Sequence, residues 1–357
     1  MKIGKYEIKH PIIQGGMGVG ISWDKLAGTV SKEGGLGVIS GVGTGYYKSD
    51  EFQVKTKKDK PVDVLNFYSK DALNTIIKNA RKICGDAPLA CNVLYACNDY
   101  GRIVRDACEA GINMIITGAG IPTNMPEFTK DFPDVALIPI VSSARALKLI
   151  CRKWKRYNKL PDAVIVEGPK SGGHQGFSYE QCFQEEFQLE NIVPPVLEEA
   201  KNWGNPPIIA AGGIWDKNDI DKFMDMGCSG VQMATRFIGT FECDADPVFK
   251  KVLIDSKSED IKLMKSPVGL PARGVRTNLQ KSLDEGNAPK VTCISNCVAP
   301  CNRGVEAKIV GYCIADRLGA AYQGDLDTGL FFTGSNGYKI EKVISVHELM
   351  EKLTKGE

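Results

Sequence analysis

The chain has 357 residues, of which 43% are apolar and 25% charged, the balance of an ordinary globular enzyme with ample material for a core. Its 45 lysines and arginines nearly cancel 43 aspartates and glutamates, so a net charge of +2 gives no electrostatic case for nucleic acid or an anionic membrane as partner.

The N-terminus, Met1 to Glu7, lacks the apolar core of a signal peptide, and no uncharged apolar run approaches the ~20 residues of a membrane span; the cytoplasm is the expected compartment. Eight short apolar runs then follow one another. They are Pro11–Gln14, Leu36–Ile39, Leu89–Leu94, Asn113–Thr117, Ala136–Ile140, Ala163–Glu167, Ile208–Ala211 and Gly230–Met233. Continuous rather than alternating apolarity fits parallel strands buried on both faces. Amphipathic helices lie between them, such as the stripe Leu147, Ile150, Cys151, Trp154 and the stripe Ile76, Ile77, Ala80, Ile83, Cys84. The densest basic stretch, Lys55, Lys57, Lys58 and Lys60 around Asp59, reads as a solvated loop.

Eight strand–helix units over ~240 residues predict an α/β fold of the TIM (β/α)8 type across 1–240. The glycine cluster Gly15-Gly16-Met17-Gly18-Val19-Gly20 contains no G-x-G-x-x-G in any register, which counts against a Rossmann domain. After Phe237 the rhythm changes. Residues 241–357 read as a smaller substrate-covering region and C-terminal helices, one over 306–323 and one over 345–355.

In such a barrel the chemistry sits at the carboxyl ends of the strands. Those ends carry Gln14-Gly15-Gly16-Met17, Asn92, Gly118-Ala119-Gly120, Glu167, Gly212-Gly213 and Gln232. The glycines after the seventh strand, and Gln232-Met233-Ala234-Thr235 after the eighth, suit a phosphate held by backbone N–H groups with a helix dipole behind them. After the sixth strand, Gly172-Gly173-His174-Gln175-Gly176 frames one of three histidines. An imidazole there can act as a base near neutral pH, or as a positive neighbour to developing negative charge. His10 and His347 lack such a frame and read as structural.

Several of these segments, namely Pro11–Met17, Gly34–Gly37, Asn92-Val93, Ser171–His174, Ala211–Ile214 and Gln232–Phe237, together resemble the nitronate monooxygenase family, formerly called 2-nitropropane dioxygenase, which includes flavin-dependent enoyl-ACP reductases. The resemblance runs from Ile8 to about residue 280, and Lys265–Gly269 resembles the monooxygenase branch. It implies an FMN-binding TIM barrel in which Gly15, Gly16, Met17, Asn92, Glu167, Gly172, Gly173, Gly212, Gly213, Gln232, Met233, Ala234 and Thr235 surround the cofactor and His174 is catalytic. Many monooxygenase members carry an amide where this chain has Glu167; the enoyl reductases carry a carboxylate.

Three functions follow as expectations. The first is a nitronate monooxygenase that converts alkyl nitronates and O2 to a carbonyl compound and nitrite. The second is an NAD(P)H-dependent reductase of an enoyl thioester or quinone. The third is a flavin-binding protein without turnover. Small molecules are the expected partners, and a homodimer is the one assembly entertained. Arg273 and Arg276 are candidates for an anionic substrate group, weighed against a salt-bridged surface pair.

Twelve cysteines are many for such a protein. Cys84, Cys91, Cys108, Cys151 and Cys228 sit in apolar surroundings and read as small core residues without disulfides. Cys293, Cys297, Cys301 and Cys313 instead cluster as C-x3-C-x3-C-x11-C, a set able to hold zinc or an iron–sulfur cluster, with Pro300 and Gly304 arguing for a folded loop rather than a continuous helix.

Overall fold

A computed structural model describes residues 1–47, 68–288, 291 and 293–356. The lysine stretch Lys55 to Lys60 lies outside the described residues. All eight apolar runs are strands: β1 (Ile12–Gln14), β2 (Gly37–Ser40), β3 (Leu89–Leu94), β4 (Met114–Gly118), β5 (Ala136–Val141), β6 (Val164–Glu167), β7 (Ile208–Ala211) and β8 (Gly230–Met233). From β2 onward each pairs in parallel with the next, and β8 pairs with β1. The ring closes where Ile13 bridges Leu36, with the Gln14 N–H donating to Leu36 O and the Leu36 N–H to Ile12 O, both at 2.9 Å. The result is the expected TIM barrel.

Burial on two faces accounts for the unbroken apolar runs. Ile13, Val38, Ala90, Ile116, Ile138, Ile165 and Ile209 fill the interior, whereas Ile12, Ile39, Cys91, Ile115, Leu137, Val164 and Val166 face the helices. An N-terminal hairpin (Lys2–Ile3 with Tyr6–Glu7) adds Ile3 and Ile8 to the interior cluster and stops the amino end of the barrel. The outer ring is α1 (Asp24–Lys32), α2 (Lys70–Cys84), α3 (Tyr100–Glu109), α4 (Met125–Phe128), α5 (Ala144–Trp154), α6 (Leu189–Lys201), α7 (Lys217–Asp225) and α8 (Thr235–Ile238). Among the described residues no helix is long and apolar enough to cross a membrane.

Beyond α8 come α9 (Pro247–Asp255), the strands Ile261–Met264 and Ala272–Val275, α10 (Asn278–Asp284), α11 (Val305–Val310), α12 (Ile314–Tyr322) and α13 (Val346–Lys355). The single helix expected over 306–323 is thus two. Gly311 breaks it at φ +95°, and a Cβ there would stand 2.7 Å from Leu283. The terminal helix is as expected, capped by Ser345, whose Oγ accepts the Glu348 N–H at 3.0 Å. It does not cover the mouth. Because α8 is one turn long, α13 packs against both α7 and α1 and completes the ring.

Helix α1 lies directly on β2 at Gly37, where a Cβ would fall 1.8 Å from the Ala27 carbonyl oxygen. Gly37→Ala should therefore push α1 off the sheet and cost about 2–3 kcal/mol, the scale of forced overpacking. Thermal or denaturant unfolding reads this directly; a parental midpoint would contradict the seating of α1.

Candidate active site

The carboxyl ends of the strands open into one cavity of about 550 Å³. Gly15, Gly16 and Met17 reach it from β1, Asn92 from β3, and Glu167 from β6. Gly172, Gly173 and His174 enter on the following loop, Gly212 and Gly213 from β7, and Gln232, Met233, Ala234 and Thr235 from β8. Every strand-end residue singled out for the cofactor, together with His174, faces this one space. Gln14 does not. Its side chain turns into the seam of the barrel, where Oε1 accepts the Val38 N–H at 3.1 Å.

Close approach of backbone shapes the walls. A Cβ on Gly16 would stand 2.4 Å from the Cβ of Asn92, so only glycine lets the β1 loop lie beside that amide. Gly213 has φ +85°, in the region that favours glycine, and its carbonyl accepts the Asn336 Nδ2–H at 2.8 Å. That last contact comes from a segment the sequence reading passed over. Phe332 to Asn336 lines the cavity: the Gly334 N–H donates to Thr235 Oγ1 at 2.8 Å and the Ser335 N–H to Lys170 O at 3.1 Å. The polar, glycine-rich run Thr333-Gly334-Ser335-Asn336-Gly337 was its available signal. A helix does follow the eighth strand, but it is short. The helix there is the single turn α8, so an anion at this end would rest on backbone N–H groups.

His174 is positioned from outside the barrel. Gly173–His174 forms the edge of a three-stranded antiparallel sheet with Ala272–Val275 and Ile261–Met264, His174 standing opposite Ala272. The neighbouring Gln175 is buried and ties the loop to itself, donating from Nε2 to Ser171 O at 3.0 Å and Gly173 O at 2.9 Å. The imidazole Nε2 lies 2.7 Å from Ser266 Oγ, and Phe332 meets the ring edge-on at 5.4 Å.

Two titratable groups are shifted by burial. His174 is pulled down to about 4, so the imidazole is neutral at pH 7. Of the two roles expected of it, burial favours the neutral imidazole over the positively charged one. Glu167 is pushed up to about 7, leaving its carboxyl in both protonation states near neutrality. Asn92 Oδ1 and Gln232 Oε1 are buried at the cavity wall without a hydrogen-bond partner. Orphaned acceptors of this kind cost free energy unless a ligand pairs with them.

The arginines do not serve the cavity. Arg276 pairs with Asp284 at 2.6 Å on the surface, and Arg273 Nη2 donates to Pro169 O at 2.8 Å, bracing the loop after β6. From the turn between the strands Ile261–Met264 and Ala272–Val275, Val268 and Leu270 reach the cavity instead. Cys293, Cys297, Cys301 and Cys313 border a separate small hollow, with Cys297 facing both it and the main cavity. Among the described residues no group of three or more His, Cys, Asp or Glu side chains is placed to hold a metal ion.

Fold and site together define a (β/α)8 enzyme with a cavity among glycine-rich strand ends beside a half-buried histidine. The family model described as nitronate monooxygenase matches residues 1–356, and the chain belongs to that family. It is thereby a flavin-dependent oxidoreductase. A probable nitronate monooxygenase of Staphylococcus saprophyticus is 28% identical over 304 residues, covering 79% of this chain and 80% of its own. A 5-hydroxy-7a-methyl-1-oxo-octahydroindene-4-carboxyl-CoA dehydrogenase of Rhodococcus jostii is 26% identical over 281 residues, covering 78% of this chain and 65% of its own. The solved structure of FabK from Thermotoga maritima superposes with a TM-score of 0.73 at 27% identity, over 98% of this chain and 93% of that one.

The three histidines should titrate apart. His347, hydrogen-bonded to Glu33, is raised, His10 is lowered by burial, and His174 should titrate near 4. Between about pH 6.5 and 4 the unfolded imidazole takes up a proton that folded His174 refuses, so this group's share of stability falls as pH drops through that window. Glu167 acts in the opposite sense, since its raised carboxyl keeps a proton that the unfolded chain gives up. NMR titration of the imidazole resonances is therefore the cleaner readout. A His174 midpoint near 6.5 would show that the ring is not desolvated.

Proposed function

We propose that the chain binds FMN in the 550 Å³ cavity and oxidises alkyl nitronates with O2 to a carbonyl compound and nitrite. The orphaned Asn92 and Gln232 amides support the cofactor, because a flavin's pyrimidine edge offers the donors and acceptors they lack. Gly212, Gly213, Ala234 and Thr235 would hold its phosphate through backbone N–H groups, and Gly15, Gly16 and Met17 would lie along the ring. FMN, when bound, supplies the electron transfer from substrate to O2.

The observation that carries the nitronate reading is the placement of His174 in the cavity wall, with Nε2 held 2.7 Å from Ser266 Oγ and the ring shifted by burial toward its neutral form. A nitronate is already a carbanion equivalent, so it requires no strong base. An imidazole with a pKa near 4 is a weak one that nonetheless orients a substrate oxygen by hydrogen bonding. Ser266 holds the ring, and Val268, Leu270 and Phe332 give the cavity an apolar side that excludes water. Within residues 241–357, the part ahead of the C-terminal helix α13 is accordingly proposed as substrate-covering. Twelve unpaired cysteines support a reducing compartment, and we keep the cytoplasm. Small molecules are the proposed partners.

One observation favours a second reading. Glu167, with its carboxyl near 7, is a proton donor the nitronate reaction does not require and an NAD(P)H-dependent reduction of an enoyl thioester or quinone would use. Anaerobic mixing separates the two. The purified protein should be yellow, release FMN on denaturation, and bleach faster with a nitronate than with NADH. Faster bleaching by NADH selects the reductase, and released FAD rejects the cofactor assignment.

His174→Asn should keep stoichiometric flavin while kcat/KM for the nitronate falls by ~100-fold, the scale for a positioned acid–base or orienting group. Flavin content by absorbance and steady-state nitrite release together check it. Unchanged kcat/KM would remove His174 from the reaction.

A further inference from the structure

The wall of the cavity is divided by charge. Its ionisable lining residues, among those described, are Glu167, Lys170, His174 and Cys297. The first three stand on β6 or the loop that follows it. Burial pushes the Cys297 thiol up to about 12, so it carries no charge at pH 7. In the order of this ring β6 lies across from β2. On that far side the wall is apolar and is assembled from distant segments. Ile21 and Val42 follow β1 and β2, whereas Val298, Ile314 and Leu318 come from beyond the barrel.

Two close approaches seat α12 on the barrel loops. A Cβ on Gly20 would stand 2.2 Å from the Tyr322 ring, and one on Gly319 2.4 Å from the Tyr46 ring, so loop and helix each yield a glycine to the other's aromatic side chain. Ile314 and Leu318, one turn apart on α12, both border the cavity and are separated by a rise of about 6 Å. Val298 is fixed by an antiparallel bridge to Cys97, with the Ala299 N–H donating to Ala96 O at 2.9 Å and the Asn98 N–H to Cys297 O at 3.1 Å. A wall of this kind favours an apolar occupant. A charge moved against it would give up water without gaining a partner. Arg273 and Arg276, the candidate partners for an anionic substrate group, are engaged elsewhere. Resting on the nitronate reading above, we propose that this wall is a tail subsite: the reacting group stays on the His174 side, and an unbranched, uncharged alkyl chain runs toward β2 against Ile314 and Leu318, which set its length.

The test uses the FMN-loaded full chain and primary nitroalkanes of increasing chain length, from nitroethane to nitrohexane. Nitrite release is measured on their nitronates, and Kd of the neutral nitroalkanes by calorimetry. Both kcat/KM and 1/Kd should climb about fourfold per added methylene until the wall is filled. A nitronate whose tail ends in a carboxylate should fall at least tenfold below the alkyl nitronate of equal length. Leu318→Phe should lower the hexyl-to-ethyl ratio at least tenfold while flavin stays stoichiometric. Should that variant fail to fold, Leu318→Ala decides, since the added room should move the optimum to a longer chain. A Kd independent of chain length would overturn the tail subsite whatever the reaction. So would loss of flavin from Leu318→Phe with the climb intact, which would assign the wall to the cofactor. Chain-dependent Kd without nitrite release keeps the subsite and rejects the nitronate reading.

Discussion

The closed ladder of eight parallel strands is the constraint on which the rest depends. A parallel sheet with two free edges would expose rows of unpaired backbone groups; here the β8–β1 pairing and the Ile13–Leu36 bridge remove them. Closure is tight enough to consume a polar side chain. Gln14 spends its amide on Val38 across the seam, so the first residue of its loop free to serve the cavity is Gly15. Because the ring is closed, residues as distant in sequence as Gly15, Asn92, Glu167 and Gln232 all end at one mouth. The site is a consequence of the ladder.

What the ladder does not supply comes from the segment after α8. The loop following β6 is captured into an antiparallel sheet with residues 261–275, and Arg273 fixes it again through the Pro169 carbonyl. This places the imidazole of His174 against Ser266 and Phe332, away from bulk water. Desolvation then favours the neutral ring. The same desolvation moves Glu167 the other way, so two groups facing one cavity are pushed toward their uncharged forms.

Much of this was legible in the chain. The apolar runs that marked β3, β7 and β8 coincide with the strands, and the others differ by a residue or so at an end, because burial on both faces leaves an unbroken signal. Glycine and amide residues at strand ends announced the cavity because few other residues allow such close backbone approach. Helices α11 and α12 were harder. Periodicity continued through 306–323, and only the packing of Leu283 shows why the chain must turn at Gly311. The contribution of Phe332 to Asn336 was missed because a short polar run carries no periodicity.

By itself, then, the sequence determined the strand–helix alternation, the chemical groups at each strand end and the family, since these depend on local patterning and residue identity. Only the tertiary structure shows the directions in which burial shifts His174 and Glu167, because a pKa responds to everything packed around the group. It alone paired His174 with Ser266, 92 residues away, and Arg276 with Asp284 rather than with a ligand. It also set Cys297 between the sulfur-lined hollow and the main cavity. Contacts between distant segments arise only when the ring closes, and no spacing along the chain encodes them.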